Sequence, residues 1–247
     1  MNFIGYIVLN KKRRPYWVIG RHAVELVLSK QPKRIRSIYM SDRINLSVPR
    51  HLLHCVTRVD YHKLTDMTQS DSHQGMGLIC EPPSCSDQQL LTDIEQRGGR
   101  YSMLVLDNIQ DPSNLGACLR TAAAMGVDSV VMTKQKSAAI TATVTKVSCG
   151  ASEVLPILAV ANLVQWVKRC QQLGIWFYAT SEHAQQSLYA HEVGTHAIGL
   201  VMGNEQTGIS PLLLKTCDYA VSIPTNPKMP SLNVSVATGI ALSFLKK

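Results

Sequence analysis

Acidic residues are scarce. The 247 residues hold 17 Asp and Glu against 25 Lys and Arg, a formal charge of +8. That balance points to an anionic partner and says nothing about fold. The seven cysteines (55, 80, 85, 118, 149, 170 and 217) form no C-x-x-C pair. No His/Cys/Asp cluster has metal-ligand spacing, so neither a metal site nor a disulfide framework is expected. Most of these cysteines sit in apolar runs and read as buried, reduced side chains of a cytoplasmic protein. No apolar run approaches the ~18–20 residues of a membrane span. The N-terminus runs apolar (Phe3 to Leu9) and then basic (Lys11 to Arg14), the reverse of a secretory signal. No G-x-G-x-x-G and no P-loop pattern occurs, which disfavours a dinucleotide or ATP phosphate cradle and, with it, a nucleotide-dependent oxidoreductase. Internal repeats and low-complexity tracts are also missing.

What is present is a chain that is 45% hydrophobic, enough for a substantial core in one large or two small domains. The charge is unevenly spread: residues 1–63 carry 13 Lys and Arg against 3 Asp and Glu, whereas residues 64–247 carry 12 against 14. The whole excess lies in the first quarter, as expected of a nucleic-acid-gripping module attached to a near-neutral body.

Residues 20–83 read as a compact α/β unit. A helix opens at Gly20-Arg21-His22, with Ala23, Val24, Val27 and Leu28 at helical spacing. Strands follow at 35–40, 55–59 and 75–80, with a short helix from Pro49, which suggests a small mixed sheet. Glu81-Pro82-Pro83-Ser84 is the best linker, since paired prolines resist helix and central strand alike. Asp87 to Gln96 is a short helix. From residue 101 strands and helices alternate: strands at 103–106, 129–132, 155–160, 175–179, 198–202 and 220–223, and helices at 114–125, 141–149, 163–173 and 231–245. Continuous apolar strands alternating with helices predict a parallel sheet covered on both faces. Ligands of such sheets bind beyond the carboxyl ends of the strands.

Three segments place polar residues there. In the first, Leu106-Asp107-Asn108-Ile109-Gln110-Asp111-Pro112-Ser113-Asn114-Leu115-Gly116-Ala117-Cys118-Leu119-Arg120, Asp111-Pro112 makes a turn and Asn114 is a candidate helix cap. Arg120 is a lone cation in a helix of Ala, Leu, Cys and Met, and needs an anion or an acceptor. The second, Gly203-Asn204-Glu205-Gln206-Thr207-Gly208, is a glycine-bracketed loop with one carboxylate, where backbone can approach a ligand closely. The third, Ile223 to Gly239, ends a strand, crosses a Pro-stiffened loop and begins a helix of small residues, with Ser231 as candidate N-cap.

Taken together, Asn114-Leu-Gly116-Ala-Cys-Leu-Arg120, Gly203-Asn-Glu205 and Ser231-Leu-Asn233-Val-Ser235-Val-Ala237 resemble the three-motif signature of the SpoU (TrmH-like) RNA ribose 2′-O-methyltransferases of the SPOUT superfamily. The resemblance spans residues 101–247. Gly20-Arg21-His22-Ala23-Val24 and His73-Gln74-Gly75 extend it to the substrate-binding domain of the subfamily that methylates a guanosine of bacterial 23S rRNA. It implies an α/β SPOUT fold whose parallel sheet ends in a C-terminal trefoil knot, preceded by a small RNA-binding domain similar to ribosomal protein L30. The domains then run 1–15 (extension), 16–83 (L30-like domain), 84–100 (linker) and 101–247 (methyltransferase).

The resemblance further implies S-adenosylmethionine as cofactor, no metal, and a homodimer packed across the knot helices. Carried over by motif, Gly203, Ile223 and Leu232 touch the cofactor, with Thr180 and Ser181 contributing from a strand end. Arg120 is the central catalytic residue, which the family proposes as base. Because guanidinium is almost always charged, binding the RNA phosphate and orienting the 2′-hydroxyl suits it better. Asn114, Glu205 and Asn233 complete the polar pocket, Glu205 either pairing with Arg120 or accepting a proton, and Ser231 and Ser235 add hydrogen bonds. Two departures stand out: Gln206 replaces the usual Gly after Glu205, and the loop Thr225 to Pro230 holds two Pro and a Lys in place of small residues. The alternatives are a tRNA 2′-O-methyltransferase, disfavoured by residues 20–83, and a non-catalytic RNA-binding ribosome-assembly factor, disfavoured by the joint presence of Arg120, Glu205 and Asn233.

Overall fold

The structure, a computed structural model, describes residues 15–83, 85–191, 196–229 and 231–245. The expected N-terminal extension 1–15 lies, save Pro15, outside the described residues. Contacts divide the chain into two units: one formed by residues up to Pro83 together with Ala139–Val154, the other by Ser84–Ala138 and Leu155–Lys247.

The first unit begins with β1 (Tyr16–Ile19), α1 (Arg21–Lys30), β2 (Ile35–Met40), β3 (Val56–Arg58), α2 (Tyr61–Thr68) and β4 (Met76–Cys80). Its sheet has the order β1-β4-β2-β3. β4 runs antiparallel to β1 and β2, and β3 is parallel to β2. This is the mixed sheet expected from the sequence. Ala23, Val24, Val27 and Leu28 of α1 are buried in one cluster with Val18, Ile38, Met40 and Leu78. Each fully buried aliphatic side chain contributes about 1.5–3 kcal/mol. β1 and α2 were not expected. β1 is only four residues, and α2 has an ambiguous pattern started by Asp60, whose Oδ1 accepts the His62 N–H at 2.8 Å.

The second unit starts with α3 (Asp87–Arg97), closed at its N-terminus by a reciprocal Ser86–Gln89 capping box. β5 (Ser102–Leu106), α4 (Pro112–Ala124) and β6 (Ser129–Thr133) follow. The chain then rejoins the first unit through α5 (Ala142–Val147) and α6 (Ala151–Val154). The returning segment carries Glu153, a carboxylate with no exposed surface. Arg34 Nη2 donates to Glu153 Oε2 at 2.8 Å, and the Tyr16 hydroxyl donates to the same oxygen. The Thr145 and Ser152 hydroxyls donate to Oε1, both at 3.0 Å. The buried charge is thereby paired and its oxygens are satisfied, as burial requires. Burial, reinforced by the neighbouring Glu153 charge, pushes the Tyr16 hydroxyl above its ordinary pKa.

The remaining elements are β7 (Ile157–Val160), α7 (Leu163–Gln172), β8 (Ile175–Thr180), β9 (Gln186–Ser187), β10 (Ala197–Met202), α8 (Pro211–Thr216), β11 (Tyr219–Ser222) and α9 (Val234–Leu245). They complete a sheet of order β7-β6-β5-β10-β8-β11-β9 in which every pairing is parallel. β5 and β10, side by side at the centre, are buried along their whole length, which is why both read as unbroken apolar runs. Leu163, Trp166, Val167 and Cys170 of α7 are buried against one face of the sheet. α9 packs on α4 and against β10, with Cys118 Sγ 3.5 Å from Thr238 Oγ1.

Two cap expectations are corrected. α4 begins at Pro112, and Asp111 caps it by accepting the Ser113 and Asn114 N–H groups at 3.0 and 3.3 Å. Asn114 therefore lies within the first turn. α9 begins at Val234, and the Ser235 N–H donates to Asn233 Oδ1 at 3.0 Å. Asn233, not Ser231, is the residue that caps it.

Candidate active site

The carboxyl ends of the central strands converge where the strand order reverses. β5 leads outward to β6 on one side, and β10 lies on its other side, so the loops after β5 and β10 leave from adjacent strands at a topological switch point. The β10 loop is built around Gly203. A Cβ there would lie 2.3 Å from both Gly208 C and Ile209 N, so only glycine permits the loop to fold back on itself. Backbone bonds close it, Asn204 N to Gly208 O at 3.1 Å and Gly208 N to Asn204 O at 2.8 Å.

Asn204 secures this loop from both ends of its amide. Its Oδ1 accepts the Gln206 and Thr207 N–H groups at 2.8 and 3.3 Å. Its Nδ2 donates to the Asn108 carbonyl at 2.9 Å, tying the β10 loop to the β5 loop. Asn108 is held in a left-handed conformation (φ 59°). Its Nδ2 donates to Asp107 Oδ1 at 2.9 Å, and its N–H donates to Thr133 Oγ1 at 3.1 Å. Asp107 is buried, and its other oxygen accepts the Ser210 N–H at 2.9 Å.

Next to Asn204, Glu205 Oε1 accepts from Asn233 Nδ2 at 2.8 Å and from the Val234 N–H at 3.3 Å. Asn233 Nδ2 also donates to Asn114 Oδ1 at 2.9 Å. Asn233 Oδ1 accepts from Ser235 Oγ at 2.6 Å. Three residues from the three sequence segments thus form one polar cluster. Glu205 Oε2 has no partner among the described residues.

This cluster borders a cleft of about 410 Å³. Thr180, Ser181, Gly203, Ile223 and Leu232 all line it, as do Glu205 and Ser231. The Thr180 hydroxyl lies 3.2 Å from the Val201 carbonyl and 3.4 Å from Met202 Sδ, either of which can accept its proton. Arg120 is placed differently. It is exposed on α4 and makes no hydrogen bond or ion pair among the described residues, so the Glu205–Arg120 pair considered from sequence is not formed. Behind the site, burial pushes the Cys118 thiol up to about 11, so it stays protonated and is no nucleophile at neutral pH.

The profile of the SpoU rRNA Methylase family matches residues 101–243. The chain belongs to this family. A second profile, RNA 2′-O ribose methyltransferase substrate binding, matches residues 17–85. Among curated relatives, the 23S rRNA (guanosine-2′-O-)-methyltransferase RlmB of Vibrio cholerae is 37% identical over 233 residues, covering 91% of this chain and 94% of that protein. RlmB of Pseudomonas aeruginosa is 36% identical over 91% of this chain and 93% of its own length. The fold is shared with an AdoMet-bound rRNA methyltransferase from Sinorhizobium meliloti (TM-score 0.76, 22% identity, 94% of this chain and 87% of that one). It is also shared with the SpoU methyltransferase AviRb of Streptomyces viridochromogenes, solved with AdoMet (TM-score 0.74, 22% identity, 94% and 89%).

In this member of the family, Asp107, Asn108, Asn204 and Thr133 are the supporting residues that motif reasoning passed over. Asn204 stands inside the second motif, and Asp107 and Asn108 stand in the segment that leads into the first. The signal available was position: Asp107, Asn108 and Asn204 stand just after the buried strands β5 and β10, and Thr133 ends β6, places where a polar side chain turned away from water needs a partner.

Proposed function

We propose that this protein transfers a methyl group from S-adenosylmethionine to a ribose 2′-hydroxyl of RNA, at a guanosine of 23S rRNA. The observation that carries the reading is the convergence of Glu205, Asn233 and Asn114 into one hydrogen-bonded cluster beside a cleft lined by Gly203, Ile223 and Leu232. The relatives named for this reaction, each matching most of the chain, supply the substrate.

The cleft fits the cofactor by size and by lining. Its volume lies within the range of small-molecule sites. Met202, Ile209, Ile223 and Leu232 offer apolar surface, and Gly203 lines the cleft at the start of the folded-back loop. When bound, S-adenosylmethionine supplies an activated methyl on a good leaving group. The protein's task is then mainly alignment and proton management. Glu205 is held by Asn233 and Val234 through one oxygen only, so its second oxygen is the acceptor we assign to the 2′-hydroxyl proton. Asn114 and Asn233 fix that carboxylate. Arg120, exposed and unpaired, binds the phosphate beside the target ribose and orients the hydroxyl. Ser231 and Ser235 complete the polar rim.

We also infer that the segment from β11 to α9 forms a trefoil knot around the site. The insertion of β10 between β5 and β8, with α9 returning onto α4, supports this reading. A homodimer across α9 is supported by Val236, an apolar side chain of that helix that is 52% exposed, and by Tyr189, 53% exposed. Residues 16–83 serve as the L30-like RNA-binding domain, before a linker (84–100) and the methyltransferase domain (101–247), in a cytoplasmic enzyme. No described helix is long and apolar enough to cross a membrane.

The test is transfer of labelled methyl to 23S rRNA and to tRNA transcripts, with ribose methylation mapped by nucleotide. Labelled 2′-O-methylguanosine in 23S rRNA is expected, and Arg120→Ala should abolish it while S-adenosylmethionine still binds. Labelling of tRNA alone would support the tRNA alternative. No labelling with either would support the assembly-factor alternative.

A further inference from the structure

The segment Ala139–Val154 lies within the sequence of the methylase profile (101–243) and outside the substrate-binding profile (17–85), yet it packs in the first unit. We propose that it completes that unit's RNA-gripping face, with Lys146 as a phosphate contact. The proposal rests on the RNA methylation reading above and adds a surface to it.

The geometry begins at Gly150, the corner between α5 and α6. A Cβ at Gly150 would lie 2.7 Å from Ala23 Cα, so glycine lets this corner sit directly on the first turn of α1. That turn carries Arg21 and His22, both exposed, and no acidic residue. Its start is fixed from below, where the Arg21 N–H donates to Gln74 Oε1 at 2.7 Å. Ser72, two residues before Gln74, accepts from Lys146 Nζ at 2.6 Å. Three distant segments thus bring Arg21, His22, Gln74 and Lys146 to one exposed region.

Lys146 is held by a neutral hydroxyl and makes no ion pair among the described residues, so its charge stays available. The carboxylates nearby are Glu25, which binds Arg21 at 3.0 Å, and Asp71, which is exposed beside Ser72. A cation positioned but not neutralised, among amide and imidazole donors, suits a phosphodiester backbone. The charge surplus of residues 1–63 favours the same polyanion.

The experiment compares full-length wild type, Lys146→Gln and Lys146→Arg for binding to a 23S rRNA transcript across a salt series, with poly-glutamate as a second polyanion. Losing one phosphate contact makes the log K against log salt slope shallower by about 0.7–0.9. With lines meeting near 1 M salt, that is roughly five- to eightfold weaker binding at about 0.1 M. Lys146→Gln should show both changes. Lys146→Arg should match wild type, and S-adenosylmethionine affinity and melting temperature should not move. Wild-type slope and affinity in Lys146→Gln would overturn the proposal while leaving the methylation reading intact. A loss confined to poly-glutamate would overturn it in favour of an acidic protein partner. Wild type failing to bind RNA at all would overturn both.

Discussion

Replacing Gly203 with alanine introduces one methyl group where no space exists. The new Cβ would sit 2.3 Å from Gly208 C and Ile209 N, and both are backbone atoms that cannot rotate away. One escape is to open the loop, losing the two Asn204–Gly208 backbone bonds at about 0.5–1.5 kcal/mol each. The other is to keep the loop closed and overpacked, at about 1–3 kcal/mol. Either route costs about 2 kcal/mol against the closed form. If only the closed loop binds S-adenosylmethionine, the apparent affinity falls with the closed fraction, about 30-fold for 2 kcal/mol. The paired residues of β10 end at Met202, so the sheet itself is spared. The loss in melting temperature should stay within about 4–8 °C. Calorimetric titration of S-adenosylmethionine into Gly203→Ala, alongside a melting curve, checks both numbers. Binding within threefold of wild type would refute the argument that this loop must fold back tightly to hold the cofactor.

Glu205→Gln keeps an oxygen for Asn233 and Val234 but removes the basic carboxylate. It should lower kcat by about 10²–10⁴ with S-adenosylmethionine affinity little changed, and near-normal kcat would reduce Glu205 to an anchor. Glu153→Ala leaves Arg34, whose side chain is 12% exposed, buried without its counter-charge. A loss of about 3–5 kcal/mol is expected in urea unfolding, and less than 1 kcal/mol would mean water or rearrangement compensates. His73 is fully buried, accepts the Gly75 N–H at Nδ1 and contacts Thr65 Oγ1 at 2.8 Å through Nε2. Burial lowers its pKa below the ordinary 6.5, so on acidification the unfolded chain takes up the proton first. Its contribution is therefore full above about pH 6.5 and declines below it. A His73→Gln variant should show a flatter stability–pH slope below about pH 6.5, and an unchanged slope would refute the assignment.

The parallel sheet was legible because its central strands are buried on both faces and must be apolar throughout, as Met103 to Leu106 and Ile198 to Met202 are. The buried stripe of α7 was legible for the corresponding helical reason. Cap identities were not. Asp111-Pro112-Ser113-Asn114 offers three capping residue types within four positions, and Pro112, favoured in the first helical position, decides for Asp111. Ser231-Leu232-Asn233 poses the same competition, which Asn233 wins by accepting the Ser235 N–H. Both outcomes matter for the site: one frees the Asn114 side chain to meet Asn233, and the other orients Asn233 toward Glu205 and Asn114. Short elements also escaped. β1 has four residues, too few for periodicity to speak, though Tyr16 within it joins the buried Glu153 cluster.

The least legible feature is that sequence neighbourhood and spatial neighbourhood part company at residues 139–154. Nothing in Thr141-Ala-Thr-Val-Thr-Lys146 distinguishes an ordinary crossover helix from one that docks elsewhere. The distinguishing residues are Glu153 and Gly150, and each is informative only in combination with distant positions. A carboxylate in an apolar helix end needs a buried cation, and Arg34 supplies it from 119 positions away. Gly150 takes a left-handed backbone (φ 84°) at this corner, and its missing Cβ also admits Ala23, a neighbour that local sequence cannot show. A boundary at Pro83 coincides with one edge of the first unit, and that unit also takes Ala139–Val154. That boundary alone divides Tyr16 and Arg34 from the carboxylate they satisfy. On the proposal above, the first unit gains the cation Lys146 in the same way, from a stretch whose own net charge gives no hint of it.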